Sequence, residues 1–206
     1  MKLIDILKEI GDASAKPLIW TSKGDITALA QQFASVIDNQ KNYMNWAGPS
    51  IFGYEAQSDS ATYNISIEAM GRKRMALMLP GMQKPKKVGP KYDMEVWISF
   101  TVNDSDEDTN LNEQYRIMAT LIACVQDFIS KVSNIFSIKE INILPKSDTG
   151  PDAQFDSKRG RLYLAYVKRN INKLPGKWTA YADEDGISIR NGSWEGGNIV
   201  AKTDNP

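Results

Sequence analysis

The stretch "YDMEVWISFTVN", Tyr92 to Asn103, decides the fold. Tyr92, Met94, Val96, Ile98, Phe100 and Val102 alternate with Asp93, Glu95, Trp97, Ser99, Thr101 and Asn103. A period of two with one apolar side marks a strand that buries one face. Upstream, "TYNISIEAM" alternates in the same way, with Tyr63, Ile65, Ile67 and Ala69 against Thr62, Asn64, Ser66 and Glu68. The two runs are expected to pair as a long antiparallel hairpin over 62–102, with 71–91 as a large excursion at its tip.

Downstream, Leu111, Tyr115, Met118, Leu121, Ile122, Val125, Phe128, Ile129 and Val132 recur at three- and four-residue steps. That spacing predicts a helix over 111–132, with Asn110 as N-cap and Glu113 as its reciprocal partner. "IKEINIL" and "GRLYLAYVKR" read as two further strands, 138–144 and 161–168, joined by the polar loop "PKSDTGPDAQFDSKRG". At the other end, residues 2–10 read as a short helix stopped by Gly11, and a second helix starts after Asp25 as N-cap. "NWAGPSIFGYE", up to Glu55, reads as a loop leading into extended chain. After Pro175, Asp185-Gly186 lies between two short alternating runs, a hairpin signal, and the Gly/Asn-rich end reads as an arm or tail.

The expected fold class is α+β. An antiparallel sheet of about four strands would carry a long helix on one face, preceded by two N-terminal helices. A long β-hairpin arm and an extended C-terminal tail complete it. Residues 1–175 form one domain in this reading, and 176–206 a hairpin with a flexible tail.

Composition narrows the chemistry. The chain has 206 residues, 25 bases and 25 acids, so a whole-surface footprint for nucleic acid or anionic membrane is absent. It has no histidine, which excludes Ser-His-Asp triads, Cys-His dyads and histidine zinc sites. Its one cysteine, Cys124, lies inside the apolar stripe of the long helix and reads as a core residue. Asp5 and Glu9 interrupt the apolar start, which therefore does not read as a secretory signal. No apolar run is long enough to cross a membrane. No phosphate-loop or dinucleotide fingerprint occurs. The expectation is a protein without catalytic residues, metal, cofactor or small-molecule substrate.

Charge is nonetheless uneven. "GRKRMALMLPGMQKPKKVGPK", Gly71 to Lys91, holds Arg72, Lys73, Arg74, Lys84, Lys86, Lys87 and Lys91 and no acid. Its centre carries Met75, Met78 and Met82, and Pro80, Pro85 and Pro90 oppose any regular helix or strand. Three readings stand. It is a solvated loop, or a non-specific contact to the DNA backbone, or an arm that buries its apolar centre on another subunit. Adaptable methionines favour the last. The opposite cluster is Asp104, Asp106, Glu107 and Asp108. It starts like a calcium loop, but Thr109 and Tyr115 stand where such a loop needs Gly and Glu. Acids at a helix start complement its dipole, and they also offer an acidic counter-surface for the basic segment. Asp148, Asp152 and Asp156 read as a solvated loop.

The order from Tyr92 to Arg169 resembles phage tail-terminator and tail-completion proteins. The likeness runs through the strand "YDMEVWISFTVN", the acidic turn "DSDED", the helix "LNEQYRIMATLIACVQDFISKV", the strand "IKEINIL", the charged loop and the closing strand "RLYLAYVKR". The resemblance implies a non-enzymatic virion protein, assembled in the host cytoplasm as a homo-oligomeric ring at the neck or tail end. Its implied partners are neighbouring neck and tail proteins, with double-stranded DNA passing through the ring. The runner-up reading is an intracellular adaptor that binds nucleic acid or a protein through 71–91.

Overall fold

The computed structural model describes residues 15–41, 45–74, 89–103, 113–143, 158–182 and 186–192. The chain order is β1 (Ile19–Lys23), α1 (Ile26–Asp38), β2 (Ala47–Gln57), β3 (Thr62–Lys73), β4 (Tyr92–Val102), α2 (Gln114–Val132), β5 (Phe136–Ile143), α3 (Lys158–Asn170), β6 (Trp178–Ala182) and β7 (Ile187–Asn191). All described strands join one seven-stranded mixed sheet in the order β1-β2-β3-β4-β5-β7-β6.

This corrects the expected four-stranded antiparallel sheet with two N-terminal helices. β3 and β4 do pair antiparallel, from Tyr63 opposite Val102 to Lys73 opposite Tyr92. They are the centre of the sheet rather than an arm, because β2 covers the outer edge of β3 and β5 that of β4. β4 and β5 run parallel, Tyr92 beside Phe136 and Ile98 beside Ile143. A helix between two strands carries the chain back to the end at which the first strand began, so the second starts alongside it. The stretch 47–57 is a full strand, paired with β1 and β3. β1 itself gave no sequence signal, being five residues without clear alternation. The hairpin signal at Asp185-Gly186 is matched by antiparallel β6 and β7, and β7 then adds to β5.

The larger correction concerns 161–168, expected as a strand and found within α3. Tyr163, Tyr166, Val167 and Asn170 are buried, at three- and four-residue steps. Leu162, Leu164 and Tyr166 mimic alternation, and in so short an apolar run period alone does not separate helix from strand. Lys168 and Arg169 sit in the last turn, where they complement the helix dipole. The closing strand that contributed to the family resemblance is therefore helical. Residues 2–10, Asn110 and the end beyond Gly192 lie outside the described residues.

Local chemistry sets the helices. Asp25 caps α1 as expected, its carboxylate accepting from Thr27 N–H at 2.9 Å and Ala28 N–H at 3.1 Å. Glu113 stands at the N-cap of α2 but makes no capping bond. It accepts instead from the Tyr63 hydroxyl at 2.7 Å and from Arg116 at 3.2 Å. Burial raises the pKa of Glu113, but the Tyr63 hydrogen bond and its other partners outweigh burial and leave it below the usual glutamate range. The Tyr63 hydroxyl in turn is pushed up by burial and by the bond to Glu113.

The apolar face runs unbroken across the sheet. One cross-strand row is Phe52, Ile67, Ile98, Ile143, Ile187 and Ala182, and the next is Ala69, Val96, Ile141, Ile189 and Ala180. α1 lays Phe33 and Ile37 over it, and α2 lays Met118, Leu121, Val125 and Phe128. α1 comes so close that a Cβ on Gly71 would meet Ile37 Cδ1 at 2.7 Å and Phe33 Cε1 at 3.0 Å. Phe128 stacks edge-on against Phe52, ring centres 5.0 Å apart, and both are fully buried. Phe128→Ala is expected to lower unfolding free energy by about 3–5 kcal/mol in urea titration, through lost transfer energy and the cavity left behind.

Candidate functional site

The opposite face of the sheet is polar and carries charged groups from β2 to β7. Its central row is Ile51, Glu68, Trp97, Asn142, Ser188 and Tyr181, one residue from each of six strands in register. Ile51 is 60% exposed and Tyr181 49%. Trp97 is half-buried and Glu68 is exposed. The row beside it holds Met70, Glu95, Glu140, Arg190 and Thr179.

The charges toward β7 are tightly tied. Arg190 Nε donates to Glu140 at 3.0 Å, and the buried Ser188 hydroxyl donates to Glu140 and lies 2.9 Å from Asn142 Oδ1. Lys139, in the bulge of β5 between Ile138 and Glu140, reaches buried Asp93 at 3.3 Å. Glu95 lies directly beside Glu140 in the parallel register. Like charges across a register position repel. Burial, and then Glu140, push the Glu95 carboxyl above its ordinary range.

A second cluster closes the end of the sheet where the 71–91 segment begins. Asp38, the last residue of α1, accepts from Lys91 Nζ at 3.0 and 2.9 Å and from the Tyr92 hydroxyl at 2.7 Å, and Lys73 Nζ lies 3.1 Å away. Those bonds, Tyr92's first, hold the Asp38 carboxyl far below the usual aspartate range. An acid at a helix C-terminus opposes the dipole, and the two lysines offset it. Arg74 Nε lies 3.9 Å from Asp93, and the Arg72 guanidinium sits 4.5 Å from the centre of the Trp46 ring. Arg74 N–H donates to Lys91 C=O at 3.0 Å, so the two stems of the segment are adjacent.

Of the basic residues singled out from sequence, Arg72, Lys73, Arg74 and Lys91 thus meet at one end of the sheet, each against a group of this chain. Met75, Met78, Met82, Lys84, Lys86 and Lys87 lie outside the described residues, as do Asp104, Asp106, Glu107 and Asp108 and the aspartates 148, 152 and 156. The acidic stretch starts after Asn103, at the opposite end of β4 from the basic one. Asp38, Glu68, Glu95, Trp97 and Glu140 were not singled out. The available signal was a tryptophan on the polar side of an alternating strand. Cys124 is buried and its thiol is pushed up to about 12, chiefly by burial, which leaves it inert as a nucleophile. Among the described residues, no group of three or more His, Cys, Asp and Glu could hold a metal ion. No helix there is long and apolar enough to cross a membrane.

Comparison with protein-family models, with characterised proteins and with solved structures finds no match.

The two perturbed carboxylates act on stability with opposite sign. Asp38 is depressed in the fold, so its contribution is present above the ordinary aspartate value near pH 4 and is lost as pH falls further. Asp38→Asn is expected to lower the urea midpoint at pH 7 and to flatten its decline below pH 4, read as the difference from wild type. Glu95 is raised, so its ionisation costs stability at neutral pH. Glu95→Gln is expected to raise the midpoint at pH 7, by an amount that fades as pH falls toward the ordinary glutamate value.

Proposed function

We propose that this chain is a non-enzymatic, ring-forming structural subunit of a viral neck or tail, acting by self-association and by docking to adjacent rings. The observation that carries the reading is that the basic and the acidic stretch are rooted at the two ends of one sheet. The basic segment is rooted at Arg74 and Gly89, and the acidic stretch at Asn103 and Glu113. The 11 residues of β4 lie between those roots, a span of roughly 35 Å. Within one chain the two would meet only if both were drawn out fully along the sheet. Between copies arranged head to tail they are neighbours, which is the geometry of a heterologous contact that closes into a ring. A neutral chain with its charges parted in this way orients its neighbours and resists wrong pairings.

Double-stranded DNA is the second ligand in this reading, met through phosphate contact by the basic segment inside the ring. Arg74 and the lysines at the base of the segment face acids of this chain, which favours a protein partner over DNA for those groups.

The test is mass in solution by light scattering across protein and salt concentration. A discrete oligomer is expected, weakening at high salt as exposed charges are screened. Replacing residues 75–88 by a two-residue Asn-Gly turn between Arg74 and Gly89 is expected to leave a folded monomer, since the stems are already hydrogen-bonded. The reading fails if that variant forms the same oligomer. It also fails if the wild type is a strict monomer that binds DNA with a steep salt dependence, the outcome that would establish the adaptor reading.

A further inference from the structure

We propose that the open face around Trp97, between Glu68 and Glu95, is the seat for the basic, methionine-containing segment 75–88 of a second copy of this chain. The inference deepens the ring reading and rests on it for the identity of the partner.

The face is amphipathic where it is open. Ile51, Glu68 and Trp97 stand in one row on β2, β3 and β4, and Met70 and Glu95 stand beside them. The other charges of this face are matched within the chain: Lys23 with Glu55, Lys139 with Asp93, Arg190 with Glu140, and Arg72 over Trp46. Glu68 has neither hydrogen bond nor ion pair among the described residues. Glu95 has no hydrogen bond among them, and Arg72 and Arg190 act on it only through space. Two acids thus stand beside an indole and an exposed aliphatic side chain.

The ligand that fits is a cation on an apolar stem, repeated along an extended chain. An ammonium group gains from both a carboxylate and the face of an indole. A thioether adapts to an irregular apolar surface and favours aromatic rings. Segment 75–88, "MALMLPGMQKPKKV", offers Met75, Met78, Met82, Lys84, Lys86 and Lys87 without one acid. Pro80 and Pro85 bias it toward extended chain. Nucleic acid is the poorer match, because its phosphates would meet Glu68 and Glu95.

The second copy follows from the ring reading, in which copies stand head to tail and the basic segment of one meets the next. The stems point both ways: Asp38 holds Lys73 and Lys91 toward α1, and Arg74 faces Asp93 on the Trp97 side.

The experiment uses the full-length chain with p-benzoylphenylalanine in place of Met78. Nitrogen-15-labelled and unlabelled copies are mixed, irradiated and analysed by mass spectrometry. The expected products join a labelled to an unlabelled copy and carry peptides containing Ile51, Glu68 or Trp97. In parallel, Glu68→Lys is expected to raise the concentration needed for assembly at least tenfold, roughly, while the far-ultraviolet circular dichroism stays unchanged. Glu68 has no hydrogen bond or ion pair to lose among the described residues, so its reversal is expected to leave folding intact. Crosslinks confined to one copy, or intermolecular crosslinks to 104–113 instead, overturn the seat. So does Glu68→Lys assembling at the wild-type concentration, and in each of these cases the ring reading survives. A wild type that never assembles overturns both.

Discussion

Helix α2 has to carry the chain back along the length of β4 before β5 can begin, and that demand orders the rest of the fold. Nineteen helical residues rise about 28 Å, most of the roughly 35 Å span of the 11-residue strand they retrace. β5 therefore lies parallel to β4, and α3 makes a similar return from the end of β5 to the start of β6. β7 then fills the place between them. Both returning helices and α1 lie on one face, so that face must be apolar from β2 to β6. The other face is released from the demand of burial and is free to hold charge.

That division leaves the polar face with a charge pattern of its own. Near β7 its charges are satisfied by each other, as Glu140 is by Arg190 and Ser188. On β3 Glu68 has no such partner among the described residues, and it stands exposed beside half-buried Trp97. The Asp38 cluster contributes in a different way. It draws the end of α1, the end of β3 and the start of β4 to one carboxylate. In the proposed ring, charged stretches rooted at the two ends of the sheet would let a subunit recognise copies of itself in one orientation.

The alternation of Tyr92 to Val102 and of Tyr63 to Ala69 was legible because a half-buried strand writes its two faces directly into the residue order. The long helix was legible for the same reason, and so were the Asp25 cap and the β6–β7 pairing. Helix α3 was not: "RLYLAYV" satisfies both periods, and only the apolar surface it covers distinguishes them. The count of strands was missed because β1 is short and "AGPSIFGYE" is broken by Gly48, Pro49 and Gly53. The basic segment and the acidic stretch stood out as charge in sequence. Glu68, Glu95 and Asp38 did not, since a single acid in an alternating or helical run looks like any solvated residue.

The residue order by itself determined which faces are apolar, where the central strands and the long helix lie, and that histidine chemistry is excluded. These are properties of neighbours in the chain, and local periodicity is enough to express them. Only the tertiary structure decided that β4 and β5 are parallel and that 161–168 is helical. It alone put the roots of the two charged stretches at opposite ends of one sheet and Glu95 beside Glu140. Those are relations between residues far apart in sequence, set by the path that α2 and α3 must take back across the sheet.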